Sequence, residues 1–157
     1  MYLFKQLTTL SILLITVLSL SIPGIATAQD AKVVEIKGTD QLKFTKTEIT
    51  AAPGQEITVK LTTVSKLPPS AMSHNFLLLT SSVDATKVAQ ESAKFQDNQY
   101  IAPKYEDQII AHTDMAGGGE TVTVTFTAPE EPGDYEYICT FPGHYLGGMK
   151  GTLTVKE

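Results

Sequence analysis

From residue 32 onward the apolar positions recur at every second residue in short runs. Ile57, Val59 and Leu61 alternate with Thr58, Lys60 and Thr62, and Val122, Val124 and Phe126 alternate with Thr121, Thr123, Thr125 and Thr127. Tyr135, Tyr137 and Cys139 keep the same rhythm, as do residues 152–155. Successive side chains of a strand point to opposite faces, so this period predicts strands with one face in a core. Turn-forming clusters divide the runs: Ala52-Pro53-Gly54, Pro68-Pro69, Gly117-Gly118-Gly119, Glu131-Pro132-Gly133 and Gly147-Gly148. About seven or eight short strands punctuated in this way predict an all-β sandwich or barrel.

One stretch breaks the period. Asp84 can cap a helix, and Ala85, Val88, Ala89, Ser92 and Phe95 follow on one face at spacings of three and four. The pattern predicts a helix over residues 82–96, inserted between strands, then an irregular segment through Glu106. No internal repeat or interdomain linker interrupts the chain.

The first residues follow a different logic. Lys5 precedes an apolar run from Leu10 to Ile22, which Pro23-Gly24 ends just before the small residues Ala26-Thr27-Ala28. A run this short, with that ending, predicts a signal peptide over residues 1–28 rather than a membrane anchor. Cleavage after Ala28 would leave residues 29–157 as one exported domain with no membrane span. The chain holds 12 Lys and no Arg against 17 acidic residues, a net charge of −5 that becomes −6 once Lys5 is removed. Nucleic acids and anionic membranes are met by Lys and Arg clusters, so this surface argues against both. With a single cysteine, an exported protein has no internal disulfide. Cys139 is therefore an intermolecular bridge, an inert core thiol, or a thiol committed to a metal or to chemistry.

The third option gains from its neighbours. Cys139-Thr140-Phe141-Pro142-Gly143-His144-Tyr145-Leu146-Gly147-Gly148-Met149 offers a thiolate, an imidazole and a thioether within one glycine-bearing loop. His74, at the start of an apolar run, offers a second imidazole from another strand. Taken singly, a strand cysteine is an ordinary core residue, a methionine is core filler and a histidine is a polar edge. Taken together, two imidazoles, a thiolate and a weak thioether suit one copper ion in electron transfer. Structural zinc prefers closed Cys and His sets without Met, although Zn(II) could enter the same pocket. His112, beside Thr113 and Asp114, reads as a solvated strand end and is left out of the site.

At these residues the sequence resembles the cupredoxins, within them the azurin and auracyanin group. Met72-Ser73-His74-Asn75-Phe76 and Cys139-Thr140-Phe141-Pro142-Gly143-His144 look like the azurin copper motifs, and Ile110-Ala111-His112-Thr113 and Met149-Lys150-Gly151-Thr152-Leu153-Thr154 also look like azurin segments. The resemblance implies a Greek-key β-barrel with an inserted helical flap and a mononuclear blue copper. It further implies His74, Cys139 and His144 as equatorial ligands, Met149 as the weak axial one, and a backbone carbonyl contact from Ser73. Asn75 would bond across to the ligand loop, and amides near Asn75 and Phe141 would stabilise the thiolate. Four residues separate His144 from Met149, as in auracyanins and plastocyanins rather than azurins, which leaves the axial distance and the Ser73 contact open.

The expected function is periplasmic electron carriage without substrate turnover. Electrons would pass through the imidazole edge of His144, within an apolar patch of Pro142, Gly143, Tyr145 and Leu146 with Leu67, Pro68, Pro69 and Met72 nearby. Redox proteins such as cytochromes or copper enzymes are the expected partners. A copper-delivery protein is the rival class, and it would want an exchangeable site rather than a rigid one. An enzyme would need an open coordination position that four protein ligands do not leave.

Overall fold

Two sheets share one core in the computed structural model, which describes residues 30–157. The leader expected over residues 1–28 and its cleavage site lie outside the described residues. The first sheet is built from β1 (Lys32–Thr39), β2 (Lys43–Phe44), β4 (Glu56–Val64) and β9 (Thr121–Thr127), in the order β2-β1-β4-β9. The second is built from β3 (Glu48–Ala51), β6 (Leu77–Leu79), β7 (Ile109–His112), β10 (Gly133–Ile138) and β11 (Lys150–Val155), in the order β3-β11-β10-β6-β7. A separate ribbon pairs β5 (Ser73–His74) with β8 (Ala116–Gly117). The pairs β1–β4 and β3–β11 are parallel and all the others antiparallel, so the chain crosses between sheets rather than meandering.

The alternation read from the sequence is the alternation of burial. Ile57, Val59 and Leu61 are wholly buried while Lys60 is exposed. β9 departs from this: Val122, Val124 and Phe126 are only half-buried, because β9 has one neighbour in its sheet and lies at its edge. Its outer face is joined to β4 through hydroxyl pairs, Thr58–Thr125 at 2.9 Å and Thr62–Thr121 at 2.8 Å. Eight strands of three or more residues match the seven or eight expected among the described residues. The two-residue strands β2, β5 and β8 carry no readable period.

The helix α1 spans Ala85–Ser92, shorter than the expected 82–96. Asp84 caps it by accepting from the amides of Thr86 and Lys87 at 3.0 and 3.2 Å, which fixes its first residue. After Ser92 the amides of Lys94 and Phe95 reach back only three residues, and the Ser92 hydroxyl accepts from the amide of Ala102. Tightened in this way the helix stops, and Phe95 ends half-buried rather than on its face. The segment expected to be irregular holds two 3-10 turns, Gln96–Asn98 and Pro103–Gln108.

The three leucines of β6 are all buried because both faces of that strand are covered. Leu78 lies in the core between the sheets, whereas Leu77 and Leu79 pack with Val88, Ala89 and Ile138 in a second cluster under α1. The helix thus covers the outer face of the second sheet, on the side from which the ligand loop departs.

Candidate metal centre

Strand register brings the sequence-predicted residues to one end of the second sheet. Leu77 pairs with Ile138, and Ile138 with Lys150. Cys139 therefore follows β10 where Met149 precedes β11, and His74 lies just upstream of β6. Alternation puts Cys139 on the inner face with Tyr135 and Tyr137, fully buried. The loop between β10 and β11 is closed by its own backbone: Cys139 N donates to Met149 O at 3.2 Å, and Met149 N donates to His144 O at 3.0 Å. Gly143 at φ +84° and Gly148 at φ +96° supply left-handed turns that other residues rarely adopt.

Three donor atoms meet there. His74 Nδ1 and His144 Nδ1 are 3.1 Å apart, and Cys139 Sγ lies 3.9 Å from the first and 3.5 Å from the second. All three residues are buried, and they form the one such cluster of potential ligands found among the described residues. Burial pulls the His74 imidazole down to about 4, which Asp40 partly opposes. His144 falls to about 4 through burial and then through charge repulsion from His74. Burial pushes the Cys139 thiol up to about 12, against hydrogen bonds from the backbone amides of Asn75 and Phe141 that favour its thiolate. Near neutral pH both imidazoles are thus neutral, with lone pairs available, and a cation is what would hold the thiolate form.

Met149 is wholly buried at the same place. Gly38, in β1, lies beneath both groups: a Cβ there would collide with the His74 ring and come within 2.8 Å of the Met149 methyl. The glycine that interrupts β1 therefore lets the strand backbone approach the site. It was not singled out from the sequence, although a glycine inside a strand is a signal of close approach. Ser73, whose carbonyl contact the resemblance implied and the loop length left open, is buried and donates its hydroxyl to Pro69 O at 2.7 Å.

Asn75 braces the centre. Its Oδ1 accepts from Thr140 N at 2.9 Å, while its Nδ2 donates to Thr140 Oγ1 at 2.9 Å and to Gln99 O at 3.2 Å. Gln99, at φ +53°, also accepts from Met115 N through its side chain, so the turn after α1 becomes a third wall of the site. Phe141 packs against His144 at 4.7 Å between ring centroids, with the rings tilted by 41°. Leu146 and Leu67 of the expected apolar patch are exposed at 68% and 46%, but Met72 is buried beneath it. His112 is exposed on β7 and stands outside the cluster.

The depressed histidines make acid sensitivity a property of the metal-free fold. Between pH 6.5 and 4 an unfolded chain protonates histidines that the folded chain keeps neutral, so stability falls as pH drops through that window. Metal-free protein should lose up to about 2 kcal/mol for each of the two between pH 7 and pH 5, above the range where most carboxylates titrate. Urea unfolding at the two pH values measures this; equal stability at both would contradict it.

The donor set, two neutral imidazoles with a thiol and a thioether, all buried, fits copper better than any hard cation. A two-sheet fold carrying this cluster at one end is a cupredoxin. Residues 31–156 match the copper binding proteins of the plastocyanin/azurin family. The chain belongs to that family, and its cofactor is one copper ion per chain. It is 38% identical over 123 residues to the azurin of Alcaligenes faecalis, a match covering 76% of this chain and 94% of that one. Auracyanin A of Chloroflexus aurantiacus, described as a "blue" copper protein, matches with a TM-score of 0.72 and 35% identity, covering 81% of this chain and 100% of its own. The dithionite-reduced auracyanin of Roseiflexus castenholzii matches at 0.71 and 37%, covering 80% and 98%.

Proposed function

We propose that the protein is an exported carrier of single electrons whose copper would be held by His74, Cys139 and His144, with Met149 as a weaker ligand and the Ser73 carbonyl as a candidate further contact. The convergence of His74 Nδ1, Cys139 Sγ and His144 Nδ1 carries this reading. Bound copper supplies a one-electron Cu(II)/Cu(I) couple to which thiolate and imidazole are both suited. The polypeptide keeps the ligands from rearranging when the charge changes: Asn75 ties the strand of His74 to the loop of Cys139, and the amides of Asn75 and Phe141 spread the thiolate charge. The closed pocket excludes water, and four protein donors leave no position for a substrate.

His144 is the candidate ligand with the most exposure, 4%, and directly follows the exposed Pro142 and Gly143. Its ring edge is the proposed electron port, and redox proteins such as cytochromes or copper enzymes are the proposed partners. Small apolar contacts of this kind suit brief encounters, with surface charge steering approach. The leader read over residues 1–28 supports cleavage near Ala28 and a periplasmic location.

His144→Gly tests the port. Removing that ring should open the copper to outside ligands, so that added imidazole restores an intense visible band the variant alone lacks. A variant that binds copper but ignores imidazole would place His144 away from the surface.

A further inference from the structure

The loop between His144 and Met149 has an unusual weakness. It ends in Gly147-Gly148, which offer no side chains for packing and lose much conformational freedom on ordering. Residues 142–148 form a run of hydrogen-bonded turns, with Gly147 N donating to Gly143 O at 2.9 Å and Gly148 N to Tyr145 O at 2.8 Å. Of its last two carbonyls, Gly147 O and Gly148 O, the second accepts from the backbone amide of Lys150 at 3.1 Å.

Those carbonyls are met from the opposite sheet. Lys43 Nζ donates to Gly147 O at 3.1 Å and to Gly148 O at 3.3 Å, across more than a hundred residues of sequence. Its neighbour Leu42 packs so closely on Gly147 that a Cβ there would lie 2.6 Å from Leu42 Cδ1. Leu42 itself sits at φ +55°, a costly conformation for a leucine that persists only where its surroundings dictate it. The same β1–β2 hairpin carries Gly38 beneath His74 and Met149. One hairpin thus contacts the site by backbone, by an apolar side chain and by an ammonium group.

Building on the ligand reading above, we propose that Lys43 is a positioning residue: a cationic clamp that fixes the Gly147-Gly148 turn, and through it Met149, while its charge favours the reduced centre. Its two donors replace the rigidity that the paired glycines give up. The residue after its second acceptor is Met149, so movement of that carbonyl is movement of the thioether's backbone. A fixed positive charge beside the site makes the more positive metal state less favourable, which raises the reduction potential.

The test compares copper-loaded wild type with Lys43→Met, Lys43→Arg and Lys46→Met. Lys46 is an exposed lysine three residues further along the chain, and its replacement removes the same charge. Lys43→Met should keep the thiolate-to-copper band but alter the paramagnetic resonance pattern that reports axial ligation. It should release copper to a chelator about tenfold faster, and shift the equilibrium with a reference couple about three- to tenfold toward Cu(II), where tenfold corresponds to 59 mV for one electron. Lys43→Arg should stay close to wild type, and Lys46→Met should leave resonance and copper release unchanged. A Lys43→Met protein matching wild type in all three readouts would overturn the clamp. So would a Lys46→Met protein that shifts them equally. If the ligand reading itself were wrong, the wild type would show no such band at the outset, which separates the two failures.

Discussion

Replacing Cys139 by serine should abolish the intense visible absorption of the copper-loaded protein altogether and weaken copper binding by orders of magnitude. The band arises from charge transfer between a thiolate and the metal, and this chain has one sulfur of that kind. A serine hydroxyl is a hard, neutral donor at neutral pH and cannot replace it in that role. The substitution is nearly isosteric, so the two sheets should remain folded. Cys139 is fully buried among apolar neighbours, and a hydroxyl there costs about 1–3 kcal/mol. Far-ultraviolet circular dichroism alongside the visible spectrum separates the outcomes. A folded variant that kept an intense blue band would place the chemistry elsewhere.

Asn75→Leu should cost about 2–4 kcal/mol and loosen the site, chiefly by leaving the Thr140 amide buried without a partner. Leucine shares the branched shape but is bulkier, so none of that loss comes from a cavity and overpacking of this buried position adds to it. The Gln99 carbonyl loses its donor as well, but it lies on an exposed turn where water can reach it. Because Thr140 adjoins Cys139, copper release to a chelator should quicken along with the drop in unfolding midpoint. Equal stability and equal release would show that Asn75 does not brace the loop.

Much of this molecule was legible in its sequence for a physical reason. Strand alternation is dictated by a buried face, so Ile57, Val59 and Leu61 announced their placement, and Tyr137 announced that of Cys139 two residues on. The four ligand candidates stood out because their chemistry is rare in combination. The end of α1 was not legible, because it depends on Ser92 capturing the amide of Ala102 ten residues later. The half-burial of β9 was not legible either, since alternation tells which face points inward but not which strand lies at the edge. The supporting groups were the hardest to see. Lys43 looks like any solvated lysine until the register of β1 with β2 carries it to Gly147. Gln99 acts partly through its backbone carbonyl, which has no sequence signature.

The central claim is that Cys139 bonds copper as a thiolate. The visible absorption spectrum of the mature protein with stoichiometric Cu(II), before and after ascorbate, tests it most directly. An intense blue band that ascorbate bleaches is the predicted result. A colourless protein with copper demonstrably bound would contradict it, and would leave a copper-delivery protein as the better reading of the same fold.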